Sequence, residues 1–136
     1  MLSRYARPEM THIWDDDNKY QNWLTIETYA LEAMAAEGGV PLKAFHALKT
    51  KGAFNAARIA EIEQEVKHDV IAFVTNVAEN VGDMGRYVHQ GLTSSDVLDT
   101  GFSMQLTQAA DILLTDLTQL AENLQTQAQQ YKFTPT

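Results

Sequence analysis

Between residues 94 and 130 the chain carries no proline and a single glycine, Gly101. Through this run passes the series Leu106, Ala110, Leu113, Leu117, Leu120, Leu124, Ala128 and Tyr131. Steps of three and four place these side chains on one stripe of an α-helix, the pattern of a bundle or coiled-coil seam. At 1.5 Å per residue such a helix is roughly 55 Å long. A compact globule of this chain length has a radius of gyration of only about 14 Å. The helix must therefore project past whatever the remainder of the chain builds. Its apolar stripe calls for partner helices from another subunit or from further sequence. The stretch "YKFTPT" at 131–136 offers no natural stop other than a proline, so the chain reads as the front part of a longer protein.

The segments ahead of this helix are helical in pattern too. Three prolines and seven glycines are spread through 136 residues, and 45% of the residues are hydrophobic, enough for the core of one ordinary domain. In "DDDNKYQNWLTIETYALEAMAAEGG" the aspartates at 15–17 suit a helix start, and Tyr20, Trp23, Leu24, Leu31 and Met34 share one face. Gly38 and Gly39 end that helix. Glu27 falls on the apolar face and implies a core carboxylate paired with a buried base or amide. A short helix opens at Pro8, another runs from Pro41 to about Lys49, and "TKGAF" reads as a turn. Asn55 is placed to cap the following helix, and Gly82 and Gly85 bracket a turn. The expected fold is all-α: a small N-terminal helical domain over residues 1–92, then one long helix of a central bundle over 93–136.

Composition excludes several function classes. A formal net charge of −8 argues against nucleic acid, which is bound through a basic face. A small anion is admissible only where positive charge is locally concentrated. There is no cysteine, which removes disulfides and thiolate metal sites. His12, His46, His68 and His89 share no metal-ligand spacing, and no Walker loop or G-x-G-x-x-G is present. No apolar run approaches the roughly 20 residues of a membrane span, and the first residues lack the apolar core of a signal peptide. A cytoplasmic protein follows by default.

Three polar clusters stand out. In "HQGLTSSD" Thr93, Ser94, Ser95 and Asp96 stand where the long helix begins. One of them suffices as a cap. A row of hydroxyls after Gly91 also suits the holding of a carboxylate or phosphate, and both readings stay open. Lys67, His68 and Asp69 put a cation, a titrating ring and a carboxylate side by side, where the carboxylate would hold an imidazole tautomer. Set against that, a lone histidine is ordinarily a satisfied boundary residue. Arg4, Tyr5 and Arg7 suit a phosphate, or are plain solvated charges.

"RYARPEM" at 4–10, "KHDVIAF" at 67–73 and "VHQGLTSSDVLDT" at 88–100, taken together, resemble the adenylosuccinate lyases of the fumarase/aspartase superfamily. "TSSDVLDT" alone is shared more widely across that superfamily. The resemblance spans essentially the whole chain. It implies an enzyme of purine biosynthesis that eliminates fumarate from adenylosuccinate, giving AMP, and from the succinylated carboxamide ribotide SAICAR, giving AICAR, with no cofactor and no metal. It further implies that Arg4 and Tyr5 bind the nucleotide and that Lys67, His68 and Asp69 bind substrate, with His68 assisting catalysis. Thr93 and Ser94 would hold the succinyl carboxylates, and His89 would stand near the phosphate. By the same resemblance the complete enzyme is a homotetramer whose helices pool into one bundle. The principal catalytic acid and base would lie beyond Thr136, leaving the chain inactive alone. Another lyase of the superfamily, or a non-enzymatic helical interaction module, are the alternatives.

Overall fold

The structure, a computed structural model, describes residues 3–135. Among these there is no strand. The helices are α1 (Pro8–Ile13), α2 (Asp16–Ala36), α3 (Leu42–Lys51), α4 (Ala56–Val66), α5 (Asp69–Val81) and α6 (Ser94–Gln130), with 3-10 turns at Ser3–Tyr5 and Gly82–Tyr87. The all-α expectation holds, and the long helix spans the stretch its apolar rhythm predicts.

Local chemistry accounts for most boundaries. Asp15 caps α2, its carboxylate accepting from the Asn18 N–H at 2.8 Å, and Asn55 caps α4 by accepting from the Arg58 N–H at 3.0 Å. Gly38 leaves α2 at φ 77°, a left-handed position that suits glycine. The helix expected to end near Lys49 continues through Thr50 and Lys51. There the Thr50 hydroxyl donates to the His46 carbonyl and the Gly52 N–H closes onto that of Leu48, so the turn is shorter than the sequence suggests.

The Asp15 cap carries a prediction. Its bond from the Asn18 N–H holds the carboxyl below its ordinary value of 3.8, against the opposing effect of burial and with a lesser contribution from His12. A depressed folded-state value adds stability that is complete above the ordinary value and fades as pH falls through the folded one. Asp15→Ala should therefore cost about 1 kcal/mol near neutrality. The gap between the two denaturation midpoints should close in acid; a gap that persists unchanged below the ordinary aspartate range would contradict the cap.

The core forms where α2 meets α3, α5 and α6. Tyr20 and Trp23 of α2 meet Phe73 of α5. The Tyr20 and Phe73 rings stack at 5.7 Å, and the Trp23 and Phe73 rings pack edge-on at 5.4 Å. Leu31, Phe45, Leu48, Ile59, Val77 and Val97 belong to the same buried cluster. The other edge of Trp23 faces Gly101. A β-carbon there would lie 2.7 Å from the indole Cδ1, so the single glycine of α6 is the price of close helix approach.

Only the first half of α6 is buried, through Val97, Gly101, Gln105 and Ala109. Beyond it Leu113, Leu117, Leu120, Leu124 and Tyr131 are all exposed, so the predicted seam is present and unpartnered among the described residues. Among the described residues no helix is long and apolar enough to cross a membrane.

Candidate functional site

The segment leading into α6 is built from turns. The Val88 N–H bonds to the Gly85 carbonyl and the Leu92 N–H to that of His89, while His89 and Gly91 sit at φ 66° and 78°. Thr93 then takes the N-cap position. Its own N–H donates to the Asp96 carboxylate at 2.8 Å, and the Asp96 N–H bonds back to the Thr93 carbonyl at 3.0 Å. Asp96 thus answers the capping half of the question left open above. The Ser94 and Ser95 hydroxyls are not needed for it. Ser94 is half-buried, and Thr93 and Ser95 are exposed.

Glu27 anchors this junction from below. Its side chain is 1% exposed, and its two oxygens accept from the His89 N–H at 2.9 Å and meet His89 Nδ1 at 2.6 Å. The expected pairing of Glu27 with a buried base or amide is fulfilled by both groups of a single residue. Burial pushes the Glu27 carboxyl above the ordinary carboxylate range, against the pull of the hydrogen bonds and charge of His89.

Lys67, His68 and Asp69 form the joint between α4 and α5. Lys67 turns the chain at φ 56° while its N–H closes α4 onto the Glu63 carbonyl. His68 is the N-cap of α5, its Nδ1 accepting from the Ile71 N–H at 3.4 Å. The Asp69 carboxylate is 3.5 Å from that same nitrogen and takes the Val70 N–H at 2.7 Å. Asp69 and the Ile71 N–H thus both meet Nδ1, and Nε2 is the ring nitrogen turned away from them.

The third cluster lies elsewhere. The Arg4 guanidinium stacks 4.7 Å over the exposed Tyr5 ring, while Arg7 is tied to Asp116 and Glu9. Arg7, grouped with Arg4 as a phosphate ligand from the sequence, is thus occupied by carboxylates. Helix α1 runs against α6: Arg7 stands at Asp116, the Ile13 carbonyl accepts from Gln105 at 2.6 Å, and Trp14 packs on Phe102. Arg4 and Tyr5 precede Arg7, so they lie at the Asp116 end. Asp116 itself is about 33 Å from Ser94 along the helix axis, 22 residues at 1.5 Å each. One chain therefore brings His89, Thr93 and Ser94 together and keeps Arg4 and Tyr5 remote from them. A groove of 310 Å³ between α2 and α3, lined by Gln21, Thr25, Tyr29 and Lys49 among others, contains none of these residues.

The buried amides of Asn22 and Gln105 and the half-buried ones of Asn18 and Gln108 are not evident from the sequence. Asn18 and Gln105 both donate to the Ile13 carbonyl, and Asn18 also donates to Gln108 at 2.8 Å, which fixes α1 onto α2 and α6. Their only sequence signal was two glutamines three apart in α6.

The profile of the lyase family matches residues 3–136. The chain belongs to that family. It is 50% identical over 134 residues to the adenylosuccinate lyase of Synechocystis sp., 43% to that of Bacillus subtilis and 41% to that of Staphylococcus saprophyticus. Each match takes in 98% of this chain and 31% of the relative, so the chain spans about a third of the length of the proteins it resembles.

Proposed function

We propose that the chain is the front part of an adenylosuccinate lyase, a cytoplasmic enzyme of purine biosynthesis that works without a cofactor on adenylosuccinate and SAICAR. The observation that carries this reading is identity of up to 50% to adenylosuccinate lyases across 98% of the chain. In the reaction a base removes the proton beside one succinyl carboxylate. The electron pair left on carbon forms the double bond of fumarate as the C–N bond breaks, and an acid protonates the departing nitrogen. The base and the principal acid are assigned to the part of the enzyme beyond this chain. Residues 1–92 serve as a small helical domain, and 93–136 as the first helix of the central bundle.

The donors described above suit such a polyanion. Thr93 and Ser94 offer hydroxyls to the succinyl carboxylates, Lys67 adds a cation, and His68 presents Nε2 as a donor that assists the acid, with Asp69 bracing the joint. His89, Arg4 and Tyr5 meet the nucleotide. The separation of Arg4 from Ser94 and the uncovered leucines of α6 both favour a homotetramer in which helices pool and sites are shared between subunits.

The test is fumarate release from adenylosuccinate by the complete protein. His68→Gln should lower kcat by about 100-fold, the scale of a lost general-acid contribution, and the 136-residue chain alone should release none. Full turnover by the variant would remove His68 from the mechanism. An inactive complete protein whose helices still assemble would favour an interaction module instead.

A further inference from the structure

Glu27 stands out among the buried residues. It occupies the core face of α2, between Trp23 and Leu31, where an apolar side chain would pack without the cost of desolvating a charge. What it touches is His89, twice: the backbone N–H with one oxygen and Nδ1 with the other. Only a carboxylate offers two acceptors at those two points. An amide of the same shape turns an NH₂ group toward one of the donors. The residue so held is one of two non-glycine residues at positive φ among the described residues, a backbone state that the surroundings must impose. With Nδ1 engaged, Nε2 is the one ring atom left to meet a ligand, on a side chain still 22% exposed and four residues from the Thr93 cap.

Resting on the lyase reading above, we infer that Glu27 is a positioning residue for substrate binding. It clamps the backbone and ring of His89 together so that, when the ring carries both protons, its Nε2–H is delivered in one orientation to an anionic group of the nucleotide at the junction leading into α6. Glu27 touches no substrate itself. Its effect passes through the imidazole, and it therefore belongs to binding more than to the bond-breaking step.

The complete lyase carries the test, through a double-mutant cycle on Glu27 and His89 with adenylosuccinate as substrate. Glu27→Gln should raise KM about tenfold or more, the scale of one hydrogen bond to a charged group, and change kcat far less. In a His89→Gln background the same substitution should change KM by less than about twofold. Equal factors in both backgrounds would show that Glu27 serves the fold alone and overturn the inference. Glu27→Met removes both acceptors while leaving an apolar core residue, so it repeats the cycle should Glu27→Gln fail to fold.

If the unmodified complete protein releases no fumarate, it is the lyase reading that falls. The clamp is then decided on the 136-residue chain by the imidazole nitrogen shifts of His89. With the ring neutral, the proton should reside on Nδ1 in the unmodified chain and redistribute toward Nε2 in Glu27→Met. Identical shifts in the two would overturn the clamp.

Discussion

Phe73→Ala is expected to lower the stability of the chain by about 3–5 kcal/mol, a large share of the total for a domain of this size. Phe73 is 0% exposed and stands between the Tyr20 ring, which it stacks on, and the Trp23 ring, which it meets edge-on. Removing it takes away apolar burial and leaves a cavity that rigid aromatic neighbours fill poorly. The loss should propagate. Trp23 is wedged between Phe73 and the backbone of α6 at Gly101, so a loosened indole weakens the seating of α6 as well as that of α5. Urea denaturation followed by far-UV circular dichroism measures the change. Phe102→Ala, at a ring 53% exposed, supplies the comparison and should cost no more than about 1 kcal/mol. A Phe73 variant as stable as the Phe102 variant would mean that the aromatic centre is not where the chain is held together.

How much of this could be read from the residues in order depends on the range of each interaction. Helix starts at Asp15 and Asn55 were legible because a cap is settled within three residues. The seam of α6 was legible because helical spacing alone puts Leu113, Leu117, Leu120 and Leu124 on one stripe. Glu27 was legible as a buried group needing a partner, since a carboxylate on an apolar face has few alternatives. That the partner would be His89, 62 positions away, was not legible, because the pairing is a product of packing α2 against the segment before α6. The same holds for the amides that grip the Ile13 carbonyl and for Arg7, whose Asp116 partner is 109 positions distant. At the site, adjacency in sequence accounts for one contact of His68 and helix geometry for the other. Asp69 follows His68 directly, yet the start of α5 turns its carboxylate to the Val70 N–H and gives His68 Nδ1 to that of Ile71. Local order nominates the candidate residues, and the helix ends decide which atoms of His68 and Asp69 are already engaged.

Mixing two inactive variants of the complete lyase is expected to restore activity. Arg4 and Ser94 both belong to the proposed nucleotide site, yet Arg4 precedes Arg7, whose partner Asp116 stands about 33 Å from Ser94 along α6, too far for a single substrate to bridge. Either one of them is not a site residue, or each site draws them from different subunits. The second alternative has a distinct signature. Arg4→Ala and Ser94→Ala should each lower kcat/KM by about 100-fold or more, since each removes contacts to a charged substrate. In a randomly reassociated equal mixture, a site that takes Arg4 from one subunit and Ser94 from another finds both intact in one of four combinations, so about a quarter of the unmodified activity should return. A site built within one chain predicts no recovery, because every subunit then carries a defect in its own site. The exchange needs subunits to dissociate and reassemble, and the exposed leucines of α6 are the surface through which they would do so. Placing a charge there, as in Leu117→Glu, should therefore suppress the recovery in the mixture by preventing assembly. Recovery that persists with Leu117→Glu in both parents would mean that the subunits meet through some other face, and absence of any recovery with the seam intact would remove Arg4 or Ser94 from the shared site.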